Sequence, residues 1–126
     1  IIIPCDTLFK PHDDELRTHA PYYLNAFKEL LHKPTSYKIL VVVYSDNTGS
    51  EQYCDDLTER RANAIADYFD ELAGDVETNI TPYGMGAEEP RSANTSVKNR
   101  RRNRRVEIYV VPEDNVIKRA RTGTLN

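Results

Sequence analysis

Residues 38–65 read KILVVVYSDNTGSEQYCDDLTERRANAI, and the fold turns on how this stretch divides. Lys38 to Tyr44 is β-branched and almost uninterrupted, as expected of an interior strand with little exposure. SDNTGS then reads as a turn, where Asp and Asn side chains fold the backbone locally and Gly49 accepts a positive φ. Helical spacing predicts a helix from about Leu57 or Thr58 to Leu72, turning Ala64, Ile65, Tyr68 and Leu72 inward. Gly74 closes it.

Outward from this unit the pattern repeats. Residues 1–9, IIIPCDTLF, read as a first strand, with Pro4 marking an edge or a bulge. Thr18 is expected to cap a helix running to about Lys33, with Pro21 tolerated in its first turn and Pro34 ending it. Its buried face is Ala20, Tyr23, Leu24, Phe27, Leu30 and Leu31. Asn79 to Tyr83 reads as a third strand, Ser96 to Arg102 as a short basic helix, and Arg105 to Val110 as a last alternating strand ended by Pro112. The order β-α-β-α-β-(α)-β predicts an α+β fold with helices packed on a small mixed sheet. The domain is expected to occupy residues 1–112, with 113–126 a loose tail.

At 126 residues the chain is long enough for one domain with a real core. With 39% apolar and 29% charged residues, it has the composition of a folded soluble protein. No apolar run approaches the roughly 18 residues of a membrane span. Ile1 already lies in strand-like sequence, so the natural start and any membrane anchor are expected to lie outside these residues. Six of the seventeen Lys and Arg crowd into residues 98–105, leaving eleven against twenty acids elsewhere. A nucleic-acid binder draws its affinity from phosphate neutralisation and is usually basic overall, so no nucleic-acid partner is expected at a net charge of −3. Cys5, Cys54, His12, His19 and His32 show no metal-ligand spacing, and neither metal nor cofactor is expected. In an oxidising compartment Cys5 and Cys54 could pair, closing a loop worth on the order of 4 kcal/mol in the chain-entropy account.

Asp46 falls just past the central strand, where open α/β sheets place ligands. Arg61, four residues after Leu57 and four before Ile65, lies near the apolar stripe rather than on the solvated back of the helix. A desolvated guanidinium requires a partner. If the helix starts near Leu57, Arg61 is also in its first turn, where free N–H groups favour an anion. Together the two suit a small zwitterion, Asp46 taking an ammonium and Arg61 a carboxylate. They equally suit a structural ion pair pinning loop to helix. Enzymatic activity is not expected, since no Ser-His-Asp set, Cys-His pair or phosphate loop is evident.

The chain resembles the OmpA-like domain of outer-membrane proteins, peptidoglycan-associated lipoproteins and flagellar stator proteins. Ser45-Asp46-Asn47-Thr48-Gly49 is similar to its S/T-D-x-x-G turn, and Cys54 to Ile65 to its N-x-x-L-S-x-x-R-A-x-x-V helix. Tyr83 to Pro90 is similar to its G-x-G-E-x-x-P loop, and Asn99 to Ile108 to its closing N-R-R-V-E-I segment. The resemblance implies a four-stranded mixed sheet and a periplasmic domain, tethered to the outer membrane of a Gram-negative bacterium by an anchor elsewhere. It implies that Asp46 and Arg61 grip diaminopimelate of peptidoglycan, with Ser45, Cys54, Lys10 and His12 as lesser contacts. It also implies that the arginines of residues 100–105 mostly pair with acids on neighbouring elements.

Two departures stand out: Cys54 replaces the motif asparagine at the ligand site, and Lys10-Pro11-His12 follows the first strand, where relatives often carry Asp or Asn. Lys10 is expected to repel the ammonium that Asp46 attracts. The leading expectation is non-covalent anchoring to the cell wall, lost without loss of fold in Asp46→Asn or Arg61→Ala. The alternative is an interaction domain of an envelope secretion apparatus that keeps the fold, binds other envelope proteins and no longer holds the wall.

Overall fold

The strand expected at the centre, β2 (Tyr37–Tyr44), is central: it pairs in parallel with β3 (Ile80–Gly86) and antiparallel with β4 (Arg105–Pro112). A short edge strand, β1 (Ile2–Pro4), joins the far side of β4, giving the order β1-β4-β2-β3 in a mixed four-stranded sheet. The computed structural model describes residues 1–32 and 37–112, so Pro34 and the expected tail fall outside the described residues.

The first strand is shorter than its sequence suggests. It stops at Pro4, and Cys5–Leu8 forms a single helical turn, α1. Cys5 and Leu8 are both fully buried, three residues apart, which is helical rather than strand spacing. The next helical region is broken as well: α2 (Pro21–Leu24), a 3-10 turn (Asn25–Phe27) and α3 (Lys28–Leu31) follow one another. Thr18 caps nothing; Ala20 occupies the cap position without a side-chain bond, and Pro21 opens the helix with its fixed φ. The expected inward face largely holds, with Ala20, Leu24, Phe27 and Leu31 buried, Leu30 partly so and Tyr23 turned to solvent.

The principal helix, α4, runs Glu51–Ala73 and so begins six residues before the expected Leu57. Ser50 is the reason: its side chain accepts the Tyr53 amide at 3.1 Å, satisfying one of the free N–H groups of the first turn. Gly74 ends the helix at φ 65°. Leu57, Ala62, Ile65 and Phe69 of α4 are buried, and α4 crosses between the parallel strands β2 and β3. It packs so closely on β3 that a Cβ at Gly84 would overlap the backbone of Thr58 and Glu59. The basic helix is as expected, α5 (Val97–Asn103), capped by Ser96. Ile3, Val41, Val43, Val106 and Ile108 meet the helical layer in one core.

Candidate functional site

The parallel strand, the turn after it and α4 converge on one hollow of about 200 Å³ that both Asp46 and Arg61 line. Asp46 sits two residues past the end of β2 and is only 6% exposed. Its Oδ1 accepts the Thr48 amide at 2.8 Å, which folds the SDNTGS turn around the carboxylate. Its Oδ2 accepts Arg104 Nη1 at 2.6 Å. The rest of the Arg104 guanidinium forks onto Asp6, Nε at 3.0 Å and Nη2 at 2.8 Å. One arginine therefore bridges two carboxylates, and all three groups line the hollow.

Burial alone would raise the Asp46 carboxyl, but the Thr48 amide and Arg104 outweigh it and hold it below the usual carboxylate range. The hydrogen bonds to Asp6 push the Arg104 guanidinium up against its own desolvation, with Asp46 adding to the rise.

Arg61 faces the hollow from the other side. It is 3% exposed, stands over the Phe9 ring at 5.0 Å, and donates from Nε to the Asp13 carbonyl and from Nη2 to the Lys10 carbonyl. Nη1 is left out of both bonds. No ion pair joins Asp46 to Arg61 among the described residues, so the pinning pair is not what the fold makes of them. Nor does Arg61 meet the helix terminus, because α4 starts at Glu51 and places it roughly three turns in. The anion site must therefore rest on the guanidinium itself.

The lesser candidates divide. His12 lines the hollow, its Nδ1 2.7 Å from the Tyr53 hydroxyl. Ser45 lines it too, with its hydroxyl donating to the Asp46 carbonyl at 2.8 Å. Cys54 closes one wall, its thiol 3.3 Å from the Thr48 carbonyl and 3.6 Å from that of Asp46. Lys10 does not belong: its backbone serves Arg61, while the residue lines a separate hollow with Asp13 and Glu15. Cys5 and Cys54 are both buried free thiols rather than a disulfide. Cys5 instead points at the Tyr44 carbonyl, 3.7 Å away, and burial pushes its thiol up to about 12, with Arg61 beside it pulling the other way. Among the described residues no three His, Cys, Asp or Glu gather as metal ligands.

Sequence reasoning missed Asp6, Tyr53 and the site role of Arg104. Asp6 was hidden in residues read as strand, and Arg104 in a basic strip assigned to structural pairing. The signal that locates Arg104 is register: Tyr44 pairs with Arg105, which brings the preceding arginine beside the turn carrying Asp46.

A mixed four-stranded sheet with a long helix over its parallel pair, and a balanced pocket where that helix meets the central strand's end, defines a known class of α+β domain. The chain belongs to the OmpA family, whose model matches residues 8–104. The solved "cell wall anchor of the T6SS from Pseudomonas aeruginosa" shares the fold at a TM-score of 0.76, with 32% identity, covering 89% of this chain and 80% of that one. The peptidoglycan-binding protein ArfA of Mycobacterium tuberculosis is 36% identical over 89 residues, 69% of this chain and 26% of that protein. The outer-membrane lipoprotein YfiB of Pseudomonas aeruginosa is 40% identical over 76 residues, 60% of this chain and 45% of that protein. The chain thus spans about a quarter of ArfA and under half of YfiB.

Proposed function

We propose that this domain binds peptidoglycan non-covalently in the bacterial cell envelope, by clasping the zwitterionic end of diaminopimelate in the pocket of Asp46 and Arg61. The observation that carries the reading is that these two residues share one pocket yet are not bonded to each other. An ammonium suits the side of the hollow lined by the Asp46 and Asp6 carboxylates, beside the Arg104 that they share. A carboxylate suits Arg61 Nη1, which neither the Asp13 nor the Lys10 carbonyl takes. The pocket holds two acids and two arginines, so a neutral zwitterion leaves its charge balanced. ArfA, named as peptidoglycan-binding, and the cell-wall anchor of similar fold support the wall-binding part of this reading. The domain acts as an anchor and not as an enzyme. A weak site suffices where its ligand repeats along a polymer and the protein is held nearby.

Co-sedimentation of the folded domain with purified diaminopimelate-type peptidoglycan tests this, run beside Asp46→Asn. Binding by the parent and none by the variant is the expected result. Equal binding by both would remove Asp46 from the site. A parent that stays in the supernatant would favour a protein-interaction domain, with Cys54 in place of the motif asparagine as the residue to examine.

A further inference from the structure

On the other side of Arg104 lies a second hollow, of about 410 Å³, whose walls are strongly basic. Arg91, Arg101, Arg102, Arg104 and Arg105 line it over a floor that includes Ile2 and Pro4 of β1. The expectation that the arginines of this segment pair with acids holds for only some of them. Arg104 is taken by Asp6 and Asp46, and Arg105 by Glu107 at 3.1 Å, by the Glu89 carbonyl and by the Tyr44 ring 3.8 Å below it. Arg101 comes only within 3.8 Å of Asp6, which Arg104 already holds. Among the described residues Arg91 and Arg102 have no acid within ion-pair reach.

The hollow is nonetheless built rather than incidental. Asn103, fully buried, holds the loop opposite α5 in place: its Oδ1 accepts the Ser92 amide at 2.9 Å and its Nδ2 donates to the Ser92 carbonyl at 2.8 Å. Arg91 is thereby set across from the arginines of α5. Several guanidinium groups converging with one shared acid form a fork array suited to an oxyanion. The acidic remainder of the domain disfavours an extended polyanion or an anionic bilayer, and the concave shape suits a single group. Arg104 lines both hollows, so the two lie against one another across a single guanidinium.

The geometry points to a second carboxylate subsite, formed by Arg91, Arg101 and Arg102, for the residue adjacent to the clasped one in the stem peptide. A γ-linked glutamate beside diaminopimelate offers such a group in its free α-carboxylate. This assignment rests on the proposed clasp for its ligand but not for its chemistry, and the two can be tested apart.

The probe for the hollow alone is the dipeptide L-Ala-D-Glu with its γ-carboxyl capped as the methylamide, as the link to diaminopimelate caps it, titrated against the domain with arginine side-chain resonances followed by NMR. The glutamate α-amide serves as control. The dipeptide is expected to shift signals of Arg91, Arg101 and Arg102, and the α-amide to leave them unmoved. The tripeptide ending in diaminopimelate is expected to bind roughly fivefold tighter than free diaminopimelate. That advantage is expected to vanish in the exposed double variant Arg91→Ala/Arg102→Ala, with affinity for the free amino acid unchanged. Dipeptide shifts confined to other residues, equal shifts by the α-amide, or full tripeptide affinity in the double variant would each overturn the subsite. A domain that takes the dipeptide but not diaminopimelate keeps the subsite and loses the clasp. One that takes diaminopimelate but not the dipeptide does the reverse.

Discussion

Two carbonyls, of Lys10 and Asp13, already hold the Nε and Nη2 of Arg61, which is stacked over Phe9 and almost wholly buried. Removing that side chain strands two acceptors and opens a void, so Arg61→Ala is expected to cost about 2–3 kcal/mol of stability as well as wall binding. A chemical-denaturation midpoint measures it, and an unchanged midpoint would mean these bonds contribute little. Burial of Arg61 thus adds a stability cost to the loss of binding expected of Arg61→Ala. Asp46→Asn is the cleaner variant, because Thr48 keeps an oxygen to bond and Arg104 keeps Asp6. It should lower affinity at least tenfold, since the ammonium loses one of its two carboxylates. Isothermal titration with diaminopimelate reads this directly. The thiols give a third check: the native domain should react slowly with a thiol dye at neutral pH and yield two free thiols once unfolded without reductant. A single pairing event, or none released, would restore the disulfide.

The elements meet most tightly where α4 lies on β3. Gly84 has no room for a methyl group against the backbone of Thr58 and Glu59, so Gly84→Ala is expected to destabilise by about 2 kcal/mol or more. Thermal unfolding of the variant tests the close approach, and a neutral result would mean the helix can retreat freely. Because Thr58 also accepts the Gly86 amide at 2.9 Å, that retreat would disturb the end of β3 beside Ser45. The helix start is the other lesson at this scale. The apolar stripe locates the body of α4 but not its beginning, since Glu51, Gln52 and Tyr53 are polar or exposed and only the Ser50 cap marks the end. Reading the stripe alone placed Arg61 in a first turn that it does not occupy.

For the whole molecule, the bridge of Arg104 to Asp6 and Asp46 joins α1, the turn after β2 and the start of β4, segments far apart in sequence. Its pH dependence follows from the sign of the shifts. Asp46 titrates below its ordinary 3.8 in the folded state, so its contribution is complete above that value and is lost as pH falls through the lowered one. The raised value of Arg104 gives a contribution present at all working pH. The stability difference between parent and Asp46→Asn should therefore be flat from about pH 5 to 8 and shrink below about pH 4. Melting temperatures measured across that range decide it, and a difference that persists in acid would show that the carboxylate's charge is not what stabilises the bridge.

By itself, the sequence determined the central strand, the turn after it, the basic helix and the last strand, because hydrophobic period, turn chemistry and caps are local. It determined Asp46 and Arg61 as a candidate pair, because one follows a buried strand and the other interrupts an apolar face. Only the tertiary structure decided what each is bonded to. The antiparallel register of β4 on β2 carries Arg104 to Asp46, and the loop after α1 folds its carbonyls onto Arg61. Ion-pair partners 58 residues apart leave no periodic trace, since they are brought together by strand pairing and not by spacing. For the same reason the second hollow, assembled from β1, the Ser92 loop and α5, exists only once the sheet has closed around it.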